Sequence, residues 1–349
     1  MRHFIDFEDM STAEWNSLYS LASEIMAHPR DYVDALRGRV MASLFFEPST
    51  RTNFSFQTAM LKLGGGVFGF ADANTSSVSK GECLKDTITM CSSYADVITM
   101  RTPVEGMAKA ASLYSACPVI NAGDGGHLHP TQTLTDLTTI TERRGSLENM
   151  NVGLCGDLKN GRTVHSLIRA LSRFEGVSFF LISPRELAVP EYITKFLGEK
   201  GIRFVETTNL EATIPQLDVL YMTRVQRERF SDPAEYERLK GVYVLNAQKM
   251  KLAKREMMVL HPLPRVDEIA LDVDPDPRAC YFHQAECGLY VRMALLLTLA
   301  SKEKARPEQT LPETRPHRCK NPRCITRTEA YLPVIDEGGV CGYCDSKLV

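Results

Sequence analysis

Ser49, Thr50, Arg51 and Thr52 follow one another directly after an apolar run and open a helical pattern. Free backbone N–H groups at a helix start, hydroxyl donors and a guanidinium within one turn make a site for phosphate. An ordinary helix cap needs only one of those hydroxyls. Arg101 ends the run DVITMR ahead of a proline, a position that suits an anion or a plain surface charge. His129 and Gln132, three residues apart in HLHPTQ, share one face at a helix start. A histidine there is pushed toward its neutral form and can still donate one hydrogen bond to a carbonyl oxygen. The plainer alternative is a histidine satisfied by local backbone. Ser76 and Lys80 lie in a loop rich in Ser, Thr and Asn, which by itself reads as solvated.

A second set lies further along. Arg162 follows the loop GDLKNG, and Arg224 and Gln226 follow the run DVLYMT. Two arginines at strand ends can hold two carboxylates in bidentate geometry, or can make surface ion pairs. In HPLPR, prolines bracket Leu263, so regular structure stops and the segment's carbonyls are left free to accept from a ligand amide. Together these residues describe a small phosphorylated acyl donor meeting an acidic acceptor. The chain has no Walker-type loop, no dinucleotide glycine fingerprint and no evident nucleophile–histidine–acid set, which favours direct transfer.

The elements that must position these residues alternate between strand and helix patterns. VMASLFF, GVFGFA, DVITMR and CPVINAG read as strands of a first domain, and NVGLCGD, VSFFLIS, RFVET, DVLYMT, VYVLN and MMVLHPL as strands of a second. Ser11 and Glu14 form a capping box for the first helix, and AECGLYVRMALLLTLASK closes the pattern as a long helix. The expected fold class is α/β: two doubly wound parallel domains with an active-site cleft between them, divided near 145–151, plus a small C-terminal metal-binding domain. The polar motifs fall at strand carboxyl ends, where open α/β sheets bind ligands.

The 349-residue length allows two domains and an appendage, and a net charge of −2 argues against a nucleic-acid or membrane partner. No leader-like or membrane-spanning stretch is evident, and six scattered cysteines suggest reduced thiols, so a cytoplasmic location is expected.

The stretches FFEPSTRTNFSFQTAMLKLGG, NAGDGGHLHPTQTLTDL, GDLKNGRTVHSL, LYMTRVQRERF and VLHPLPRVDEI closely resemble the catalytic chain of the aspartate carbamoyltransferase family, in collinear order over about residues 1–300. The resemblance implies transfer of the carbamoyl group of carbamoyl phosphate to L-aspartate. It implies that Ser49, Thr50, Arg51, Thr52 and Arg101 hold the phosphate, and that His129 polarises the carbonyl with Thr52 and Arg101. Gln132, Pro262 and Leu263 would hold the carbamoyl amide, and Arg162, Arg224 and Gln226 the aspartate carboxylates. Ser76 and Lys80 would reach into a neighbouring chain's site, implying a homotrimer or a higher oligomer of trimers and reversing the solvated-loop reading. No catalytic metal is implied. The implied domains are 1–147 for carbamoyl phosphate, closed by the helix 285–301, and 148–284 for aspartate. Asn53, Gln57 and Cys287 depart from the family pattern, where arginine, glutamate and asparagine are usual.

Beyond a charged, proline-rich linker at 302–317, Cys319, Cys324, Cys341 and Cys344 are spaced C-x4-C…C-x2-C. Four thiolates in two short pairs suit one tetrahedral structural zinc ion, Zn(2+), in a domain at 318–349. CKNPRCIT and CGYC resemble the zinc domain of the family's regulatory chain, here fused to a catalytic chain. Arg315, Arg318, Lys320, Arg323 and Arg327 surround the first pair, so a nucleic-acid-binding ribbon is the rival reading. Acids follow at Glu329, Asp336 and Glu337 and no aromatic stacking set accompanies the cluster, so no nucleic acid is expected.

Overall fold

The computed structural model describes residues 2–227, 230, 232–304 and 319–348. From 305 on, the expected linker lies outside the described residues, as do Arg315 and Arg318. The chain forms two compact units, residues 1–131 with 288–349, and residues 132–287.

In the first unit, α1 (Thr12–Ala27) begins at the expected capping box: the Ser11 hydroxyl accepts from the Glu14 N–H, and the Glu14 carboxylate accepts from the Ser11 N–H. The parallel sheet comprises β1 (Val40–Phe45), β2 (Gly66–Phe70), β3 (Val97–Thr102) and β4 (Val119–Asp124), in the order β2-β1-β3-β4. Helices α2 (Thr50–Lys62), α3 (Leu84–Tyr94) and α4 (Met107–Tyr114) connect the strands. Asn53 is buried in α2, where its side-chain oxygen accepts from Ser43 and from Gln57 one turn on. A neutral pair thus occupies the two divergent positions.

α5 (Pro130–Arg144) leads into the second sheet, built from β5 (Asn151–Cys155), β6 (Ser178–Ile182), β7 (Phe204–Thr207), β8 (Val219–Met222) and β9 (Met258–Leu260). It is wholly parallel, in the order β7-β6-β5-β8-β9. Helices α6 (Arg162–Leu171), α7 (Glu191–Glu199), α8 (Leu210–Thr213), α9 (Pro233–Leu239) and α10 (Ala247–Met250) intervene. The core face of α6 is the one its apolar spacing requires: Val164, Leu167, Ile168 and Leu171 are buried. α11 (Tyr281–Ala300) is the long last helix. The packing divisions fall inside α5 and α11, whereas the division read from the sequence follows the loop ahead of β5.

VYVLN is not a strand. Only Leu245 makes a bridge, to Ile269, and Asn246 caps α10 directly afterwards. Val242 is largely exposed, so the β-prone composition has no neighbouring strand to satisfy it.

Each sheet changes winding direction once, between β1 and β3 and between β5 and β8. Ligands of open α/β sheets bind at such points. The second switch point depends on a close backbone approach. Gly156 just past β5 has φ +121°, and a Cβ there would stand 2.2 Å from the Thr223 carbonyl oxygen. Gly156→Ala should therefore destabilise the second unit by about 1–3 kcal/mol, read by urea unfolding of the purified chain. Unaltered stability would show that the approach relaxes freely.

Candidate active site and metal centre

At the first switch point, β1 and β3 run in register with Phe45 opposite Arg101, and the Phe46 N–H donates to the Arg101 carbonyl at 2.7 Å. The chain then turns through Glu47-Pro48 into α2, whose first turn is Thr50, Arg51 and Thr52, with Ser49 as the residue before it. The Ser49 side chain makes no cap hydrogen bond to the helix. Arg51 and Thr50 are exposed, while Ser49 and Thr52 are half-buried.

The Arg101 guanidinium donates from Nε to Glu47 at 2.8 Å and from Nη1 to His129 Nε2 at 3.3 Å. A guanidinium can only donate, so Nε2 of His129 accepts and the ring proton of the neutral form lies on Nδ1. Burial lowers the Arg101 pKa, and the Glu47 charge and hydrogen bond oppose that drop. The structure thus brings Arg101 and His129 together on one strand-end platform.

His129 is carried by a loop that Asp124 organises. One Asp124 oxygen accepts from the Leu128 N–H at 2.9 Å, and the other accepts from the Gly106 N–H at 2.9 Å and stands 3.1 Å from His127 Nδ1. Ser76 and Lys80 are elsewhere. Ser76 caps a 3-10 turn, its hydroxyl donating to the Ala73 carbonyl at 2.7 Å, and Lys80 is exposed.

In the second unit, Thr223 N–H donates to the Cys155 carbonyl at 2.8 Å at the ends of β5 and β8. Asp157 shapes the loop after β5 by accepting from the Asn160 N–H at 2.9 Å. Gln226 then donates to the Asn160 carbonyl at 3.2 Å, tying the two loops that carry Arg162 and Arg224. Both arginines are half-buried beside that switch point.

The HPLP segment follows β9. Leu263 takes φ +53° and precedes a cis Leu263–Pro264 bond. A left-handed leucine is uncommon and marks a backbone held by its surroundings. The holder is His261, whose Nδ1 accepts from the Leu263 N–H at 2.7 Å, leaving Nε2 to donate to Glu268 at 2.6 Å. The His261 N–H in turn donates to Gln284, whose amide nitrogen donates to buried Asp136 at 2.6 Å. Gln132 donates to the same Asp136 oxygen at 2.7 Å. A carboxylate accepts, so the nitrogen end of Gln132 faces Asp136 and its carbonyl end faces away. Glu47, Asp124, Asp136, His261, Glu268 and Gln284 thus support the candidate residues and were not singled out from the sequence. All of them except Gln284 lie inside the motifs that resemble the family, which was the available signal.

Residues 319–348 pack on the first unit. Cys319 and Cys344 Sγ atoms are 3.5 Å apart, and those of Cys324 and Cys341 3.8 Å. All four thiols are buried and lie within 4.8 Å of one another. Sulfurs about 2.3 Å from a tetrahedral zinc stand about 3.8 Å apart, so the cluster fits a metal ion. The tail docks on loops of its own chain. Glu105 N–H donates to the Arg323 carbonyl and Ile325 N–H to the Glu105 carbonyl, at 3.0 and 2.9 Å. Glu329 and Tyr331 accept from the Leu84 and Lys85 N–H groups at the start of α3. Asp345 lies 3.0 Å from His127 Nε2. Burial would lower the His127 pKa, but Asp124 and Asp345 outweigh it and hold the ring well above its ordinary value. Of the basic cluster, Arg323 pairs with Glu105 at 3.1 Å.

One parallel α/β unit carries Arg101 and His129 at a strand end and a second carries half-buried Arg162 and Arg224, cationic sets of the kind that two-substrate transferases use for two anionic substrates. The chain belongs to the aspartate/ornithine carbamoyltransferase family: residues 2–142 match its carbamoyl-P binding domain and residues 148–299 its Asp/Orn binding domain. The aspartate carbamoyltransferase catalytic subunit of Clostridium perfringens is 60% identical over 299 residues, covering 85% of this chain and 97% of that protein. That of Clostridium novyi is 58% identical over 302 residues, covering 86% and 99%. Among solved structures, the catalytic subunit of M. Jannaschii aspartate transcarbamoylase is 46% identical, with a TM-score of 0.80 over 86% of this chain and 98% of that one. Trypanosoma cruzi aspartate transcarbamoylase in complex with N-(phosphonacetyl)-L-aspartic acid is 40% identical, with a TM-score of 0.80 over 85% and 95%. The thiol cluster lies beyond both matched domains.

Burial would raise the Glu268 pKa, but its hydrogen bond and attraction to His261 win, and the carboxyl sits below its ordinary value. A depressed carboxyl contributes stability above its unfolded pKa and loses it as pH falls through the folded one. Acidification below the ordinary glutamate range should therefore loosen the Leu263 segment. Glu268→Gln should flatten that acid limb and lower kcat/KM about tenfold, the scale of one hydrogen bond to a charged group. A pH–rate profile superimposable on wild type would remove Glu268 from this role.

Proposed function

We propose that this chain transfers the carbamoyl group of carbamoyl phosphate to the amine of L-aspartate, giving N-carbamoyl-L-aspartate and phosphate, the step that commits these two substrates to pyrimidine biosynthesis. The observation that carries the reading is the placement of an anion-binding set at one switch point and paired arginines at the other, in a chain of this family.

Ser49, Thr50, Arg51, Thr52 and Arg101 hold the phosphate by charge-assisted hydrogen bonds. His129 donates to the carbamoyl oxygen together with Thr52 and Arg101, so charge that develops there meets donors already in place. The Arg101 guanidinium donating to Nε2 would leave Nδ1 to carry the ring proton, which supports that role. Gln132 and the Pro262 and Leu263 carbonyls accept from the carbamoyl amide. Arg162, Arg224 and Gln226 hold the two aspartate carboxylates and bring the amine to the carbonyl carbon in near-attack geometry. The amine attacks, a tetrahedral intermediate forms, and departing phosphate takes the amine proton. No covalent enzyme intermediate is required.

The functional division is 1–147 with 285–301 for carbamoyl phosphate and 148–284 for aspartate. Ser76 and Lys80 complete the site of a neighbouring chain in a homotrimer, which fits their exposure or local engagement within one chain. One structural zinc per chain closes the tail through Cys319, Cys324, Cys341 and Cys344, and the tail serves as a docking clamp that steadies the oligomer. The reduced cysteines support a cytoplasmic enzyme.

Assayed with aspartate and ornithine separately, the zinc-loaded chain should carbamoylate aspartate and leave ornithine untouched, because the cationic ornithine side chain has no carboxylate for the second arginine. Arg162→Ala and Arg224→Ala should each lower kcat/KM for aspartate about a hundredfold, the scale of two charge-assisted hydrogen bonds at about 1.5 kcal/mol each. Silence with both acceptors would defeat the reading. Complete zinc removal should lower the melting temperature and weaken assembly; unchanged melting and oligomer size would sink the clamp.

A further inference from the structure

Within the second unit, α5 and α11 approach one another at a point the transfer chemistry does not use. Glu142 lies in the last turn of α5, and His283 and Cys287 stand one turn apart on α11. That spacing puts the imidazole and the thiol on one face. His283 Nε2 is 3.0 Å from a Glu142 carboxylate oxygen and 3.5 Å from Cys287 Sγ. The three donor atoms all lie within 4.8 Å of one another.

An ion pair alone accounts for the histidine–glutamate contact. It does not require a thiol on the same ring nitrogen. A tetrahedral zinc with nitrogen at about 2.1 Å, sulfur at about 2.3 Å and oxygen at about 2.0 Å places nitrogen and sulfur about 3.6 Å apart, and nitrogen and oxygen about 3.3 Å apart. The observed separations are close to both edges. The other ring nitrogen, Nδ1, is 3.5 Å from the Glu286 carboxylate, the arrangement that orients metal-bound histidines.

We propose that Glu142, His283 and Cys287 form a second metal site, for a thiophilic divalent cation of the zinc class, distinct from the four-thiol cluster. The mixed sulfur, nitrogen and oxygen donor set selects such an ion over magnesium or calcium, which take oxygen ligands. Three protein ligands leave one tetrahedral position for water. The ion enters from the side of Glu142 and His283, whose side chains are 35% and 28% exposed, and meets the thiol from the buried side. The metal–sulfur bond replaces the S–H bond, and the proton goes to water. Bound there, the ion pins the end of α5 to the start of α11.

The test uses the full chain, stripped with a chelator and titrated with zinc chloride alone. Wild type should hold one zinc per chain more than Cys287→Ser or His283→Gln, whatever the four-thiol cluster contributes to the total. Cys287 is buried, so its replacement can disturb folding; the partly exposed Glu142→Gln therefore decides. It should weaken the site at least tenfold with an unchanged metal-free melting temperature and unchanged carbamoyl transfer in the absence of added zinc. Equal zinc counts in wild type, Cys287→Ser and His283→Gln, or unaltered zinc affinity in Glu142→Gln, would overturn the proposal and leave a hydrogen-bonded pair beside a packed thiol. Because the readout is metal binding, this result stands apart from whether aspartate is the acceptor.

Discussion

A parallel sheet wound in both directions has one place where neighbouring strands send their chains to opposite faces, and the space above those strand ends is left for side chains and ligands. In this protein that constraint acts twice. Between β1 and β3 it gathers the first turn of α2, Arg101 and the loop bearing His129. Between β5 and β8 it gathers Arg162, Arg224 and Gln226. The registers are what make this work. Arg101 lies opposite Phe45, so a slip of one residue on β3 would turn the guanidinium to the other face of the sheet.

The residues at those points are charged or polar and partly dehydrated, so each needs a partner that fixes its direction. Glu47 does this for Arg101, Asp124 for the His129 loop, and His261 with Glu268 for the Leu263 backbone. Asp136 is shared by Gln132 and Gln284, which links the start of α5 to the HPLP segment through a continuous set of hydrogen bonds. Buried polar networks of this kind hold a single geometry when every member is satisfied, and lose more than one contact when a member is removed.

Much of this was legible along the chain. The strand-end motifs stand where their sequence position placed them, the capping box forms, and the apolar face of α6 is buried. The four tail cysteines converge as their two short spacings imply. The pairings of the supporting acids were not legible, because Glu47 and Arg101, or Asp136 and Gln284, come from distant segments and no local spacing joins them. VYVLN misled because β-prone residues describe a surface that suits a strand, while a strand also needs a neighbour. The bond between His127 and Asp345 spans 218 positions, and only the docked tail reveals it.

That docked tail has a consequence for how the chain is made. Ile325, Leu332 and Tyr343 share one apolar cluster with Leu84, Ile88, Ala111 and Tyr114 of the first unit. Those partners emerge from the ribosome long before residues 319–348, so until these are made the α3–α4 surface lacks their cover. Four buried thiols from residues 319–348 sit beside that cover, so an ion gathered by them, as proposed above, would also set when the apolar face of α3 and α4 closes.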